Sequence, residues 1–238
     1  MTVKRTLGLA ALMVSLAASA AYAELIVLQS TAPALKPGAQ LVDGASVKIP
    51  SGKTVVFLLP SGATKTVSGP FEKPVSALIK GQSRNAALLT LVSNYIKTGG
   101  TSSDRTAATR GLTVGATAAS GFSLTAVPVT ARGPYCVVKG KPLKLSRSKG
   151  GQKLTVTIVD MTAAKRGQAT FGAKATTADW PSDVTAGDAR YAIVAKGQPM
   201  RQVTLKLIDA PPSDDEILPA LFANKCEAQL KGYLDALK

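Results

Sequence analysis

Two cysteines, Cys136 and Cys226, constrain the fold of this chain more than any other feature. Cys136 lies in Tyr135-Cys136-Val137-Val138, an apolar β-like run, and Cys226 in Leu221-Phe222-Ala223-Asn224-Lys225-Cys226, a helix-like run. Paired, they staple a terminal helix to the first strand of a C-terminal domain. Their spacing excludes a CxxC redox or zinc motif. The alternative is two buried free thiols, and the compartment decides between them.

Residues 1–23 speak to the compartment. Lys4 and Arg5, the apolar run 7–18 and then Ala21-Tyr22-Ala23 follow the order of a secretory signal peptide, with Glu24 as the first mature residue. The run is shorter than the roughly 20 residues of a spanning helix. No cysteine follows it directly for lipid attachment, and no later stretch is apolar enough to span a bilayer. The expectation is a periplasmic or secreted protein with no membrane span after signal removal. An oxidising compartment then favours the Cys136–Cys226 disulfide.

The 29 Lys and Arg outnumber the 14 Asp and Glu, for a formal charge of +15. Such a charge favours polyanionic partners, or it is a solvated basic surface. Histidine is absent, which excludes His-based triads, His-ligated zinc and His general bases within the chain. No catalytic residue, metal or cofactor is expected. The catalytic alternative is a carboxylate pair, Asp179 with Asp183 or Asp188, although loop aspartates ordinarily cap turns.

Residues 24–72 read as a small β module. Glu24-Leu25-Ile26-Val27-Leu28-Gln29 is a strand candidate. The turn dipeptides Asp43-Gly44, Ser51-Gly52 and Ser61-Gly62 then punctuate short runs at 45–49, 53–59 and 63–67. A meander or roll follows from short strands and tight turns. Asp43-Gly44-Ala45-Ser46-Val47, followed by Leu58-Leu59-Pro60-Ser61-Gly62-Ala63-Thr64-Lys65-Thr66-Val67, resembles the exported β domain of the FecR (ferric-citrate regulator) class. That resemblance implies an interaction or sensing module. The membrane helix of those regulators is missing, so their anti-sigma role does not carry over. The plan of the whole chain is similar to uncharacterised exported proteins of Gram-negative bacteria. Ser51-Gly52-Lys53-Thr54 echoes a P-loop, but Val47 stands where the pattern needs glycine, and a strand follows instead of a helix.

Residues 74–97 have helical periodicity, open to interruption at Gly81-Gln82-Ser83, and are expected to cover the β module, completing a unit over 24–97. A partner-binding amphipathic helix is the alternative. Residues 98–133, rich in Thr, Ala, Ser and Gly, read as a linker in which a few apolar points pair as edge strands.

Residues 134–238 carry period-two alternation: Leu154, Val156 and Ile158; Ala169, Phe171 and Ala173; Tyr191, Ile193 and Ala195; Val203, Leu205 and Leu207. This pattern predicts an antiparallel β-sandwich closed by a C-terminal helix. The whole chain is thus mainly β with flanking helices. Gly187-Asp188-Ala189-Arg190-Tyr191 resembles the corner tyrosine of immunoglobulin-like sandwiches, but Ile193 stands where those domains place their second cysteine. Trp180 is expected as a core pillar beside a cysteine, with an exposed stacking platform as the alternative. Tyr135 is the other aromatic considered for contact. Ser213 and Glu216 form a capping box for the last helix. Pro219 either kinks that helix or starts it.

Arg132, Lys139, Lys141, Lys144, Arg147, Lys149 and Lys153 occur with no acidic residue among them and form the anion-binding candidate. Ser146-Arg147-Ser148-Lys149 matches Ser-x-x-Lys formally, but in a turn region that cannot align the pair as a helix would. The expected function is non-catalytic binding or scaffolding in the cell envelope through protein contacts. The alternative is an acidic polymer or lipid held through residues 132–153. Export and the lack of interleaved aromatics argue against nucleic acid.

Overall fold

The computed structural model describes residues 25–98, 122–211 and 213–237. The expected signal peptide at 1–23 and most of the expected linker, 99–121, lie outside the described residues.

The first unit is built on β1 (Leu25–Ser30), β2 (Gln40–Leu41), β4 (Thr54–Leu58) and β5 (Thr64–Ser68), an antiparallel sheet in the order β2-β1-β4-β5. The strand runs and turns lie where the dipeptides place them, and Gly44, Gly52 and Gly62 all adopt positive φ. The pairing is not a simple meander. β3 (Ser46–Ile49) leaves β4 and pairs with β6 (Phe71–Pro74) as a second layer. Val47 and Ile49 of β3 thereby close one core with Leu25, Val27, Val55 and Phe57. Ile26, Leu28 and Leu58 point the other way, into a second core. Burial on both faces is why β1 reads as an unbroken apolar run.

The helical segment divides into α1 (Ser76–Ile79) and α2 (Ala86–Lys97), broken at Gly81, where φ is +76°. The Asn85 side chain accepts from the Leu88 N–H and caps α2. Leu88, Leu89, Val92 and Tyr95 lay its buried face on the second core.

The second unit has two sheets. One holds β8 (Gly133–Val138), β10 (Leu154–Asp160), β11 (Arg166–Phe171), β13 (Arg190–Ala195) and β14 (Arg201–Ile208), in the order β11-β10-β13-β14-β8. The other holds β7 (Ala126–Pro128), β9 (Lys144–Ser146) and β12 (Thr177–Asp179), in the order β12-β9-β7. The sheets are mixed, not wholly antiparallel: β8 runs parallel to β14, and β7 parallel to β9. The chain crosses from one sheet to the other between β7 and β8, so the opening segment of the unit lends a strand to each. Part of the expected linker therefore belongs to the sandwich.

Tyr191 fills the corner position. Its hydroxyl donates to the Thr185 carbonyl at 2.9 Å and accepts from the Gly187 N–H at 2.9 Å. Trp180 packs edge-on against it, with ring centroids 5.4 Å apart. The tryptophan is thus a half-buried core element beside a tyrosine, not beside a cysteine. Its Nε1–H donates to the Val184 carbonyl at 2.8 Å.

The C-terminal helix is two helices, α3 (Ile217–Ala223) and α4 (Glu227–Ala236). Ser213 makes no side-chain cap; a 3₁₀ turn, Asp214–Glu216, leads into α3 instead. Pro219 falls in the first turn of α3, where backbone N–H groups lack intrahelical acceptors anyway. Lys225 then takes a left-handed φ of +59°. The Cys226 N–H bonds the Leu221 carbonyl and the Lys225 N–H bonds that of Phe222, the two bonds of a Schellman motif. Cys226 therefore sits at a helix–helix corner, not within a helix.

That corner is where the two units meet. Cys136 and Cys226 form a disulfide with a Cα–Cα distance of 5.9 Å. Along β8, Tyr135 and Val137 face the sandwich core, whereas Cys136 and Val138 face α3 and α4. One core thus holds Ile26 and Leu58 of the first sheet, Leu88 and Val92 of α2, Leu221 and Leu230 of α3 and α4, and Cys136 of β8. The helices are a shared middle layer rather than a cover for one module.

Candidate functional site

The strand directions sort the loops of the sandwich between two ends. β10 alone spans seven residues, about 20 Å, so groups at opposite ends do not act together. Strands β8 and β14 end at Val138 and Ile208, on the side of the helical layer, and both residues contribute to the shared core. The far end carries the loops 129–132, 147–153, 172–176 and 196–200.

The seven expected anion-binding residues do not form one patch. Lys139, Lys141 and Lys144 lie at the end near the helices; Arg132, Arg147, Lys149 and Lys153 lie at the far end. The near end is of mixed charge: Asp160, Asp179, Asp183, Asp188 and Asp209 lie among its cations, and Lys144 Nζ stands 3.9 Å from Asp179 Oδ1. The far end is uniform. Its loops contain no Asp or Glu, and the fold brings Lys174, Lys196 and Arg201 to the four cations already there. The signal for these three was in the strand count, since alternate connections of a sandwich fall at the same end. A window along the chain cannot show it.

Arg147 organises this end. Its Nε donates to the Ala175 carbonyl at 2.7 Å, and its two terminal nitrogens to Gln152 at 2.9 Å and Gly172 at 3.1 Å. Its guanidinium also lies 5.1 Å from the Phe171 ring centroid. Arg147 is a strut between two loops rather than a free ligand. The Lys174 N–H bonds the Gly151 carbonyl at 2.8 Å and closes the same junction. A Cβ on Gly150 would sit 2.3 Å from the Lys174 carbonyl oxygen, so only glycine fits there. On this shelf Lys149, Lys153 and Lys174 are exposed. Arg201 is half-buried, with its Nε buried and lacking an acceptor among the described residues.

The aromatic contact residues are engaged elsewhere. Tyr135 is buried and donates to the Ala126 carbonyl at 3.0 Å; burial pushes its phenol pKa up. Trp180 follows β12 at the near end, tied to the Val184 carbonyl and away from the basic loops. Asp188 accepts from the Leu207 N–H at 2.8 Å, and Asp179 faces Lys144. Asp179 and Asp188 thus each have a structural partner. Among the described residues, no three His, Cys, Asp or Glu side chains gather as a metal site would need.

A shallow cleft of about 500 Å³ lies between the end of β14 and α3, with Asp209 and Glu216 on its rim. Its lining is apolar and acidic, opposite in character to the basic loops. Among the described residues, no helix is long and apolar enough to cross a membrane.

No protein-family model, curated protein or solved structure matches this chain. The functional reading therefore rests on the geometry. The basic loops β9–β10 and β13–β14 fall at the same end of the sandwich.

Proposed function

We propose that this is an exported, non-catalytic binding or scaffold protein of the cell envelope, periplasmic or secreted, working through the far loop end of its sandwich. The observation that carries the reading is the uniform charge of that end: six cations from four loops, with Arg201 at the start of β14, and no carboxylate in those loops. Binding residues commonly occupy loops held by such a scaffold. The disulfide and the composition of residues 1–23 support export. The absence of histidine supports binding over catalysis. The first unit serves, on this reading, as a FecR-like interaction module fixed to the sandwich by the helical layer.

The test is a photo-crosslinking amino acid placed in the living cell at Lys174, at Lys196 or at Lys165, the last lying at the near end. Adducts are expected from the first two positions and not from Lys165. Adducts from Lys165 alone, or from none of the three, would overturn the reading.

A further inference from the structure

We infer that the partner of the basic loop end is an anionic phospholipid surface, which the protein touches by its tip. The inference rests on the preceding reading that this end is the working surface, and it names the chemistry met there.

Three observations favour a lipid surface over other polyanions. First, the cations come from four loops and the start of β14 at one end of a sandwich, so that together they can face a plane of charge. Second, the loops contain no Phe, Tyr or Trp to stack on sugar or base rings. Third, the tip carries an apolar side chain. Met200 is 56% exposed, against 44% for Met161, 38% for Val194 and 37% for Val42, the other exposed large hydrophobic residues described. It lies in Lys196-Gly197-Gln198-Pro199-Met200-Arg201, between cations, at the hairpin joining β13 and β14. An apolar point flanked by Lys196 and Arg201 combines the two contributions that hold proteins at a bilayer interface, shallow insertion and attraction to anionic headgroups.

An acidic protein partner fits less well. Interface anchors are commonly aromatic residues or arginines with free guanidinium groups. Here the loops have no aromatic residue, and of the three arginines at this end the guanidinium of Arg147 is bound to three carbonyls and Arg201 is half-buried, which leaves Arg132 as the one exposed arginine. Exposed lysines attract a charged plane without needing a fixed geometry. The attachment is therefore reversible and falls with salt.

The experiment is co-sedimentation of the protein purified from its export compartment, disulfide intact. The vesicles are phosphatidylglycerol mixed with phosphatidylcholine, or phosphatidylcholine alone. Binding is expected only to the first and is expected to weaken with salt. The triple variant Lys149→Glu, Lys174→Glu, Lys196→Glu should lose about tenfold or more in apparent affinity. The near-end triple Lys139→Glu, Lys141→Glu, Lys165→Glu, of equal net charge, should lose less than about twofold, since its charges lie beyond a Debye length of the surface. Met200→Ser should lower the binding that survives at high salt. Equal loss from both triples would reduce the effect to net charge and overturn the inference. So would retention on heparin without vesicle binding, which points to an acidic polysaccharide. A protein adduct at Lys174 without vesicle binding would also overturn it, while leaving the binding-protein reading intact.

Discussion

The side-chain amide of Gln229 takes up both backbone polar groups of Cys136. Gln229 Oε1 accepts from the Cys136 N–H, and Nε2 donates to the Cys136 carbonyl at 2.8 Å and to that of Ser123 at 2.7 Å. β8 is an edge strand, so these groups have no neighbouring strand on that side. The amide of α4 stands in for one peptide unit of a missing strand. Three residues earlier in the chain, Cys226 holds the Cys136 side chain covalently. One residue of β8 is thus fixed to the helical corner through its sulfur and both backbone groups.

Gln229→Leu should therefore cost more than its loss of contact suggests. Gln229 is 1% exposed, and the variant leaves the Cys136 N–H and C=O buried without partners. At about 1–3 kcal/mol for each unsatisfied group, we expect a loss of roughly 3 kcal/mol. The denaturant midpoint of the oxidised protein reports it. A change under about 0.5 kcal/mol would show that water reaches the edge of β8.

Removing the disulfide tests the same corner from the other side. The linked residues are 90 positions apart, and closing such a loop stabilises by roughly 4–5 kcal/mol in the chain-entropy model. The pair Cys136→Ala with Cys226→Ala should lose an amount of that order. Amide exchange should rise first in α3, α4 and β8, where the middle layer is anchored, and least in β10 and β13. Uniform acceleration across the sandwich would show instead that the bond supports global stability alone.

Alkaline pH addresses the third group in this layer. Tyr233 is buried on α4, packs edge-on against Phe122 at 5.0 Å and donates to the Asp214 carbonyl at 3.2 Å. Burial, with Asp214 nearby, pushes its pKa from 10.0 up to about 12. The folded state thus keeps a proton that the unfolded chain releases. The stabilisation is complete below pH 10 and is lost as pH rises from 10 to about 12, by roughly 3 kcal/mol for this group. Burial raises Tyr135 and Tyr191 in the same direction. Tyr233→Phe should flatten part of the alkaline decline in Tm, and an unchanged slope would remove Tyr233 from the account.

Strand positions, turns and the disulfide were legible in the sequence because each rests on local chemistry. Asp43-Gly44, Ser51-Gly52 and Ser61-Gly62 needed only glycine at positive φ, and the alternation in β10 and β13 needed only one face in a core. Pairing was less legible. Val47 and Ile49 reveal an inward face of β3 but not whether β4 or β6 lies beside it. The corner at Lys225 was not legible because a helix end there calls for glycine, and the chain has lysine. The basic segment misled for a topological reason. Residues 132–153 run from one end of the sandwich to the other and back, so neighbours along the chain are separated, whereas Lys149 and Lys174 come together.

Arg147 gives the sharpest test of how the basic end is built. Its guanidinium joins the β9–β10 and β11–β12 loops through three carbonyls, a fork that an ammonium group cannot reproduce. Arg147→Lys keeps the charge but loses at least two of the bonds and the stacking on Phe171. At about 1 kcal/mol per bond, and more where the donor is charged, the variant should be less stable by roughly 2 kcal/mol. Arg147→Ala should be no milder. Amide exchange should quicken at Gly151 and Lys174, whose backbones meet at this junction. A free anion ligand behaves oppositely: Arg147→Lys would then leave stability unchanged and weaken only the binding of anions. Thermal melts of Arg147→Lys with and without an anionic partner separate the two roles, and loss of stability in the protein alone marks the strut.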